Sequence, residues 1–547
     1  MHSIFYLEEL LSNYTLIESE KIDPLVITSL DLDIQQMVTD KIQNRLQIWS
    51  KFGATNAAAL VVDKENFAVL AHVGSGEYFN QEHAGAIDYS KVLRSPGSTL
   101  KPFIYALALE RGVVTPATIL DDLHRVSDGV GNADDDFLGP LPLRMALANS
   151  RNVPAIELLS RVKLNEAYVF LGSLGLHDNK YNADYYGLGL AIGTMPVTLI
   201  NLAHAYTVLA DNGLLHDLRW FNTQPIKAPS RLLSQQTAQQ LALFLADPLA
   251  RLPSFHRMSK MEYPFAVALK TGTSNNYGDA WTIAWSNKYL VAVWLGHPDY
   301  HPMQGLTGAT SAAVLVHDIL TALHPNKMDG LSDSSFAPPV GYNKYKLCRL
   351  TGKLATDACD KTFFEWFRPG EEPVEHCDAH IKVAIDRRNG KLANLNTPTK
   401  FTVLKNAVVL PAKYDTWFEK SELRQSTNGV TPLSTRQYLE RLRKPQNSSQ
   451  QLVRPQIAIV SPQPNMAIIR DPESPLNVST LALEAYIKPL PSNSSKSEIV
   501  WYIDGKLYQV ASYPYSTRWP LQSGKHSFQA QIAFTDYYSK IIIVEIR

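Results

Sequence analysis

Two groups of apolar, strand-length runs stand far apart in this chain, and any fold must bring them together. The first group is Ala57-Ala58-Ala59-Leu60-Val61-Val62 and Phe67-Ala68-Val69-Leu70-Ala71-His72-Val73, with Asp63-Lys64-Glu65-Asn66 between them. Two such runs around a short polar stretch read as a hairpin. The second group is Phe265-Ala266-Val267-Ala268-Leu269-Lys270, Ala280-Trp281-Thr282-Ile283-Ala284-Trp285 and Tyr289-Leu290-Val291-Ala292-Val293-Trp294-Leu295. Helical patterns dominate the interval from 98 to about 250. A short strand and helix cap over Val26 to Asp33 precede a helix from Ile34 to about Trp49, and another helix spans Ser311 to Leu323. Hairpin, helical block, three strands and helix, in that order, fit an antiparallel sheet covered by helices.

A chain of 547 residues exceeds one compact core, and its character changes along its length. Residues 1–25 show no pattern and read as a remnant or linker, and 26–330 form the sheet-and-helix unit. Residues 331–454 hold every cysteine, and within them 421–454 are a polar linker rich in Ser, Gln and Arg. From 455 to 547 short strands recur at Ile457–Val460, Leu481–Ile487, Ile499–Ile503, Ser527–Ile532 and Ile541–Val544, with turns at Asp504-Gly505 and Ser523-Gly524. That spacing predicts a small β-sandwich. The fold class is thus multidomain α+β with a C-terminal all-β sandwich. Lys+Arg and Asp+Glu both number 52, so charge gives no case for nucleic acid or a strongly anionic membrane. No apolar run is long enough to cross a bilayer, and the N-terminus lacks the basic stretch and apolar core of a secretory signal. These residues suit either a cytosolic protein or a piece of a larger exported one.

The chemistry concentrates at Arg94-Ser95-Pro96-Gly97-Ser98-Thr99-Leu100-Lys101-Pro102-Phe103. Pro96-Gly97 breaks the chain, and Ser98 opens a helix expected to run to about Gly112. Three-residue spacing sets Ser98 and Lys101 on one face. The helix N-terminus adds a positive field suited to an alkoxide or oxyanion. Lys101 can act as the base only when neutral, and burial with a second nearby cation lowers a lysine pKa. Lys270, in the strand ending Leu269-Lys270-Thr271-Gly272-Thr273-Ser274, is the candidate. Gly272 leaves room for a substrate backbone along the strand edge, and Thr273 and Ser274 offer hydroxyls to a carboxylate. Ala148-Asn149-Ser150-Arg151-Asn152-Val153-Pro154 joins two helical patterns. There Ser150 is placed to relay a proton between the lysines, and Asn152 to hold a peptide amide. Ser160-Arg161-Val162-Lys163 repeats the S-x-x-K spacing inside an ordinary helix, so spacing alone decides nothing. Gly74-Ser75-Gly76 reads as a turn. Order and context carry the signal: S-x-x-K at a helix start, S-x-N in a loop, K-T-G on a strand.

In this arrangement residues from about Thr28 to His324 resemble the transpeptidase domain of a class A penicillin-binding protein. The similarity includes Val73-Gly74-Ser75, Gly85-Ala86-Ile87-Asp88, Ala146 to Ala155, Gly187 to Pro196 and Lys270 to Tyr277. The stretch from Cys348 to Asp386 and the final β domain resemble the penicillin-binding protein 1C group. The resemblance implies Ser98 as nucleophile toward the penultimate D-Ala carbonyl of a peptidoglycan stem peptide, and Lys101 as base. Ser150 and Lys270 complete the proton network, while Asn152, Thr271, Gly272, Thr273 and Ser274 contact substrate. Thr273 and the backbone N–H groups of Ser98 and Thr273 would hold the carboxylate and oxyanion. It also implies D-Ala-D-Ala substrates, β-lactams as covalent inhibitors, no metal or organic cofactor, and the periplasmic face of the bacterial inner membrane. Neither the membrane anchor nor the glycosyltransferase domain of the family is read in these residues. A separate anchored glycosyltransferase chain, or other cell-wall proteins bound by the C-terminal domain, would then be partners. A D,D-carboxypeptidase, or an idle β-lactam-binding scaffold, is the alternative.

Cys348, Cys359, Cys377 and His380 leave open a Cys₃His zinc site, though the spacings are not those of a usual finger. The implied location outside the cytoplasm favours one disulfide with one thiol, or a folding role. Trp501 and Trp519 are expected in the core or on a sheet face of the last domain, with a carbohydrate-binding surface as the other reading.

Overall fold

The computed structural model describes residues 4–9, 26–124, 131–325, 335–388, 391–393, 397–420, 456–464, 466–468, 480–488, 498–533, 535 and 537–546. They form two compact units, residues 1–354 with 361–375, and residues 355–360 with 376–547. Among the described residues no helix is long and apolar enough to cross a membrane.

The first unit is built on helix α1 (Leu32–Trp49), strands β1 (Asn56–Asp63) and β2 (Val69–Val73), helices α2 (Lys101–Glu110) and α3 (Asn152–Val162), strands β3 (Ala268–Thr273), β4 (Asp279–Trp285) and β5 (Tyr289–Gly296), and helix α4 (Ala313–Leu323). The strands make one antiparallel sheet in the order β2-β1-β5-β4-β3. The long-range closure is the β1–β5 pairing, from Asn56 opposite Gly296 to Asp63 opposite Tyr289. Side chains alternate between faces. Ala58, Leu60 and Val62 pack with Phe103 and Ile104 of α2 and with helix Leu199–Ala210. Ala57, Ala59 and Val61 face the other way, against Val38 and Ile42 of α1 and Val316 and Ile319 of α4. Both sheet faces are therefore buried, which explains strands that are apolar at nearly every position. Each large aliphatic side chain removed from water there contributes roughly 1.5–3 kcal/mol. Asp31 starts α1 by accepting the N–H groups of Asp33 and Ile34.

Several details differ from the sequence reading. The third strand begins at Ala268 rather than Phe265 and continues through the K-T-G residues, because Lys270 to Thr273 pair with Ile283 to Ala280 of β4. The helical block also contains two small hairpins, Ile119–Asp122 with Gly139–Pro142 and Leu214–Leu215 with Ser230–Arg231. Pro140 and Pro142 hide the first hairpin from a pattern search, yet a two-stranded ribbon leaves each strand an unpaired side that tolerates proline. Residues 4–9 are helical rather than patternless. Tyr6 is buried there and its hydroxyl donates to Trp220 O.

The hairpin of β6 (Asn343–Cys348) and β7 (Thr362–Phe367) belongs with this first unit, beyond the boundary expected at 330. Glu365 on β7 is fully buried and takes two hydrogen bonds from the Arg144 guanidinium, 2.6 and 2.8 Å, and one from Gln240, 2.7 Å. Arg144 lies in the helix Leu143–Ala148.

The second unit contains a three-stranded sheet, with β8 (His380–Asp386) between Lys391–Leu392 and β9 (Thr402–Val408). After the expected linker at 421–454, which lies outside the described residues, come two further sheets of three and five strands. Ile457, Leu483, Ala485 and Ile487 of the smaller share one core with Ile499, Trp501, Phe528, Ala530 and Val544 of the larger. That is a sandwich. Trp501 and Trp519 are 0% and 4% exposed, so neither presents a ring to a sugar, and the carbohydrate-surface reading falls. Strands Lys506–Ser512 and Ser516–Pro520 escaped the sequence reading because their polar residues break the apolar pattern. Replacing Trp501 with Ala is expected to cost about 3–5 kcal/mol, read as a lowered calorimetric or denaturant transition of the full chain. A transition within error of the parent would remove Trp501 from the core.

Candidate active site

Ser98 lies in a tight 3₁₀ turn, Gly97–Leu100, that runs directly into α2 at Lys101. The expected helix start is thus displaced by one turn, and the helix ends at Glu110. In a 3₁₀ turn residues three apart eclipse one another, so Ser98 and Lys101 share one side more closely than in an α-helix. The Lys101 N–H donates to Ser98 O. Gly97 has φ +54°, and a Cβ there would stand 2.4 Å from Thr273 O. Gly272 is equally crowded: a Cβ would stand 2.3 Å from Pro96 O and 2.8 Å from the Thr99 side chain. The missing side chain at Gly272 therefore admits the serine-bearing turn, which corrects the expectation that it clears space for a substrate backbone. Hydrogen bonds from Thr99 Oγ1 to Pro96 O, Tyr206 Oη to Thr99 O and Trp281 Nε1 to Ser95 O fix the turn against its surroundings.

Lys101 is completely buried. Its Nζ donates to Ser150 O at 2.5 Å and to Asn152 Oδ1 at 2.7 Å. Lys270 is 2% exposed and donates to Ser150 Oγ at 2.8 Å and Thr271 O at 2.9 Å. Ser150 thus receives both lysines, one on its carbonyl and one on its hydroxyl. Burial holds the Lys101 amine well below the ordinary lysine range, and the positive charges of Lys270 and Arg151 push it the same way. Burial, then Arg251, brings Lys270 down to about 7. The second cation expected beside Lys101 is there, but desolvation is the larger cause.

Ser150 sits at φ +59° between helices Leu143–Ala148 and α3, a left-handed conformation that costs a non-glycine residue roughly 1–3 kcal/mol. Neighbouring residues hold it there. The buried Arg151 guanidinium pairs with buried Asp122 at 2.8 Å and with Asp134 at 2.7 Å. Asn132 donates to Asp122 at 2.8 Å and accepts the Asn152 N–H at 2.8 Å, and the Asn152 side chain donates to Gly131 O at 3.0 Å. Asn149 anchors the other flank on Ala250 O and Leu252 O.

Asp122, Asn132, Arg151 and Arg251 did not appear among the sequence candidates. A cluster of Asp, Asn and Gly at 131–136 inside a helical block was the available signal, since such residues mark a built loop. On β3, Thr271 pairs across the ladder with Thr282. Thr273 Oγ1 accepts the Gly308 N–H at 3.0 Å. The Ser274 hydroxyl donates to Asp279 Oδ2 at 3.0 Å and accepts the Asp279 N–H at 2.8 Å, so it closes a turn. The repeat spacing at Ser160 and Lys163 is inert: Ser160 Oγ donates to Ile156 O, and the Lys163 side chain is 78% exposed.

Known proteins match this chain over much of the first unit. Residues 57–321 match the penicillin binding protein transpeptidase domain, and residues 338–382 match the penicillin-binding protein 1A C-terminal domain. The chain is 31% identical over 360 residues to penicillin-binding protein 1C of Escherichia coli, covering 64% of this chain and 44% of that protein. It is 26% identical over 409 residues to penicillin-binding protein 1A of Clostridium botulinum, covering 68% and 48%. The chain thus spans less than half the length of these curated relatives. The crystal structure of penicillin-binding protein 1A from Haemophilus influenzae has the same fold, with a TM-score of 0.55 at 17% identity, over 68% of this chain and 77% of that one. With a match to the transpeptidase domain followed by a match to the 1A-type C-terminal domain, this chain is similar to the C-terminal part of these penicillin-binding proteins.

Proposed function

We propose that this chain is a peptidoglycan D,D-transpeptidase acting through a Ser98 acyl-enzyme at the periplasmic face of a bacterial inner membrane. One observation carries the reading: a fully buried lysine with a strongly depressed pKa stands one 3₁₀ turn from a serine, wired through Ser150 to a second buried lysine. An ordinary lysine is protonated at neutral pH and is no base. Burial and the neighbouring cations shift Lys101 toward the neutral amine, whose lone pair a base needs.

In the proposed reaction the Lys101 amine takes the Ser98 hydroxyl proton as Oγ attacks the penultimate D-Ala carbonyl. The backbone N–H groups of Ser98 and Thr273 receive the developing oxyanion. Lys270 and Ser150 return a proton to the departing D-Ala amine. An amine from a neighbouring stem peptide then attacks the ester, which frees Ser98 and leaves a cross-link. Asn152 and the β3 edge, with Thr271 and Thr273, hold the substrate. β3 is the outermost strand of the sheet, so an extended peptide can lie along it. A β-lactam enters as a strained carbonyl and stays as a stable ester.

Incubation with a fluorescent penicillin is expected to label the protein covalently, and Ser98→Ala to abolish labelling while Ser160→Ala leaves it intact. A folded protein without an adduct overturns the acyl-enzyme. Given D-Ala-D-Ala peptide and an amine acceptor, the product is expected to be the new amide; predominant free acid overturns the transpeptidase in favour of a carboxypeptidase. The two lysines also predict a pH effect. Removing a nearby positive charge favours the protonated form of Lys101 and raises its pKa. The acidic limb of the acylation profile should therefore move to higher pH in Lys270→Gln, and an unmoved limb would show that the lysines are not coupled. Finally, Asp122→Ala leaves the Arg151 charge buried without its main partner and is expected to cost about 3–5 kcal/mol, read by denaturant unfolding.

A further inference from the structure

In the second unit the ligating atoms of Cys359, Cys377 and His380 lie within 4.8 Å of one another. Cys377 and His380 are buried, with Cys377 Sγ 3.2 Å from His380 Nδ1. Cys359 Sγ accepts the Thr356 N–H at 3.3 Å, a bond that stabilises negative charge on sulfur. The spacing Cys377-Asp378-Ala379-His380 is a tight C-x-x-H. His380 opens β8, where its backbone is fixed opposite Val408. All three cysteines of the chain are thiols.

We propose that Cys359, Cys377 and His380 bind one zinc ion in the second unit. Thiolate sulfur and imidazole nitrogen are donors that zinc takes. The surrounding sheets are short. Among the described residues, none between Phe336 and Ile457 belongs to the three hydrophobic clusters of the chain. A segment with so little apolar core is where a metal supplies folding energy. The spacing differs from that of common fingers because the ligands come from a loop and the entry to a strand, and an ion senses positions in space. A disulfide, favoured on compartment alone, would use the same sulfurs and leave the imidazole without a role.

The test is elemental analysis of the full chain purified under reducing conditions without chelator, with about one zinc per chain expected. Stripping with chelator and titrating Co²⁺ should produce the visible bands of tetrahedral cobalt and the ultraviolet band of thiolate ligation. Cys359→Ser and His380→Ala should each weaken cobalt binding at least tenfold and alter those bands. Fluorescent-penicillin labelling of each variant serves as the check that it is folded. Zinc at buffer background with no cobalt spectrum overturns the proposal, as does mass analysis finding two of the cysteines joined in a disulfide. Full-strength binding by the folded Cys359→Ser variant overturns this ligand set.

Discussion

Lys101 and Lys270 are both held out of water with Ser150 between them, and much of the first unit exists to hold that arrangement in place. A charged amine removed from solvent is unfavourable, so each lysine is driven toward its neutral form. A neutral amine still needs acceptors for its hydrogens, and Ser150, Asn152 and Thr271 provide them. Those acceptors must be placed to within tenths of an ångström. The left-handed backbone at Ser150 is one consequence, and the buried Arg151–Asp122 pair beside it is another. That pair plays two parts. It fixes the loop mechanically, and its guanidinium adds positive field at Lys101.

The sheet supplies the other half of the placement. β3 occupies its edge, and the Ser98 turn is stacked on it so tightly that backbone meets backbone at Gly97 and Gly272. Serine, sheet edge and lysines are thereby indexed to one rigid reference. β4 pairs with one side of β3, and β4 in turn is held by β5, which pairs with β1. The pairing of β1 with β5, separated by more than half of the first unit's sequence, is what lets one end of the sheet carry a stable core while the other carries the site.

The large strands and the three motifs were legible in the sequence because burial on both sheet faces writes a continuous apolar run, and because Ser98, Ser150 and Lys270 keep a fixed order. The less legible parts share a cause: they depend on contacts that sequence proximity does not record. Asp122 and Asn132 support Arg151 and Asn152 from a proline-bearing hairpin about twenty residues upstream. Gly272 was assigned to substrate because its true neighbours, Pro96 and Thr99, are far away in the chain. The hydroxyl of Ser274 was free on paper and is engaged with Asp279 in space. Arg251, which helps depress Lys270, lies in no motif at all.

The bond from Arg144 to Glu365 bears on where this protein can be divided. Its two ends lie 221 positions apart, and the Arg144 end belongs to the helix that leads straight into Ser150. A fragment stopped at 330, where pattern alone would cut, loses Glu365 and leaves the Arg144 guanidinium with only Leu243 O and the more distant Asp247. The smallest autonomous piece therefore extends past the sheet and its closing helix to include β6 and β7. What looks like the beginning of an accessory segment is the last structural member of the first unit.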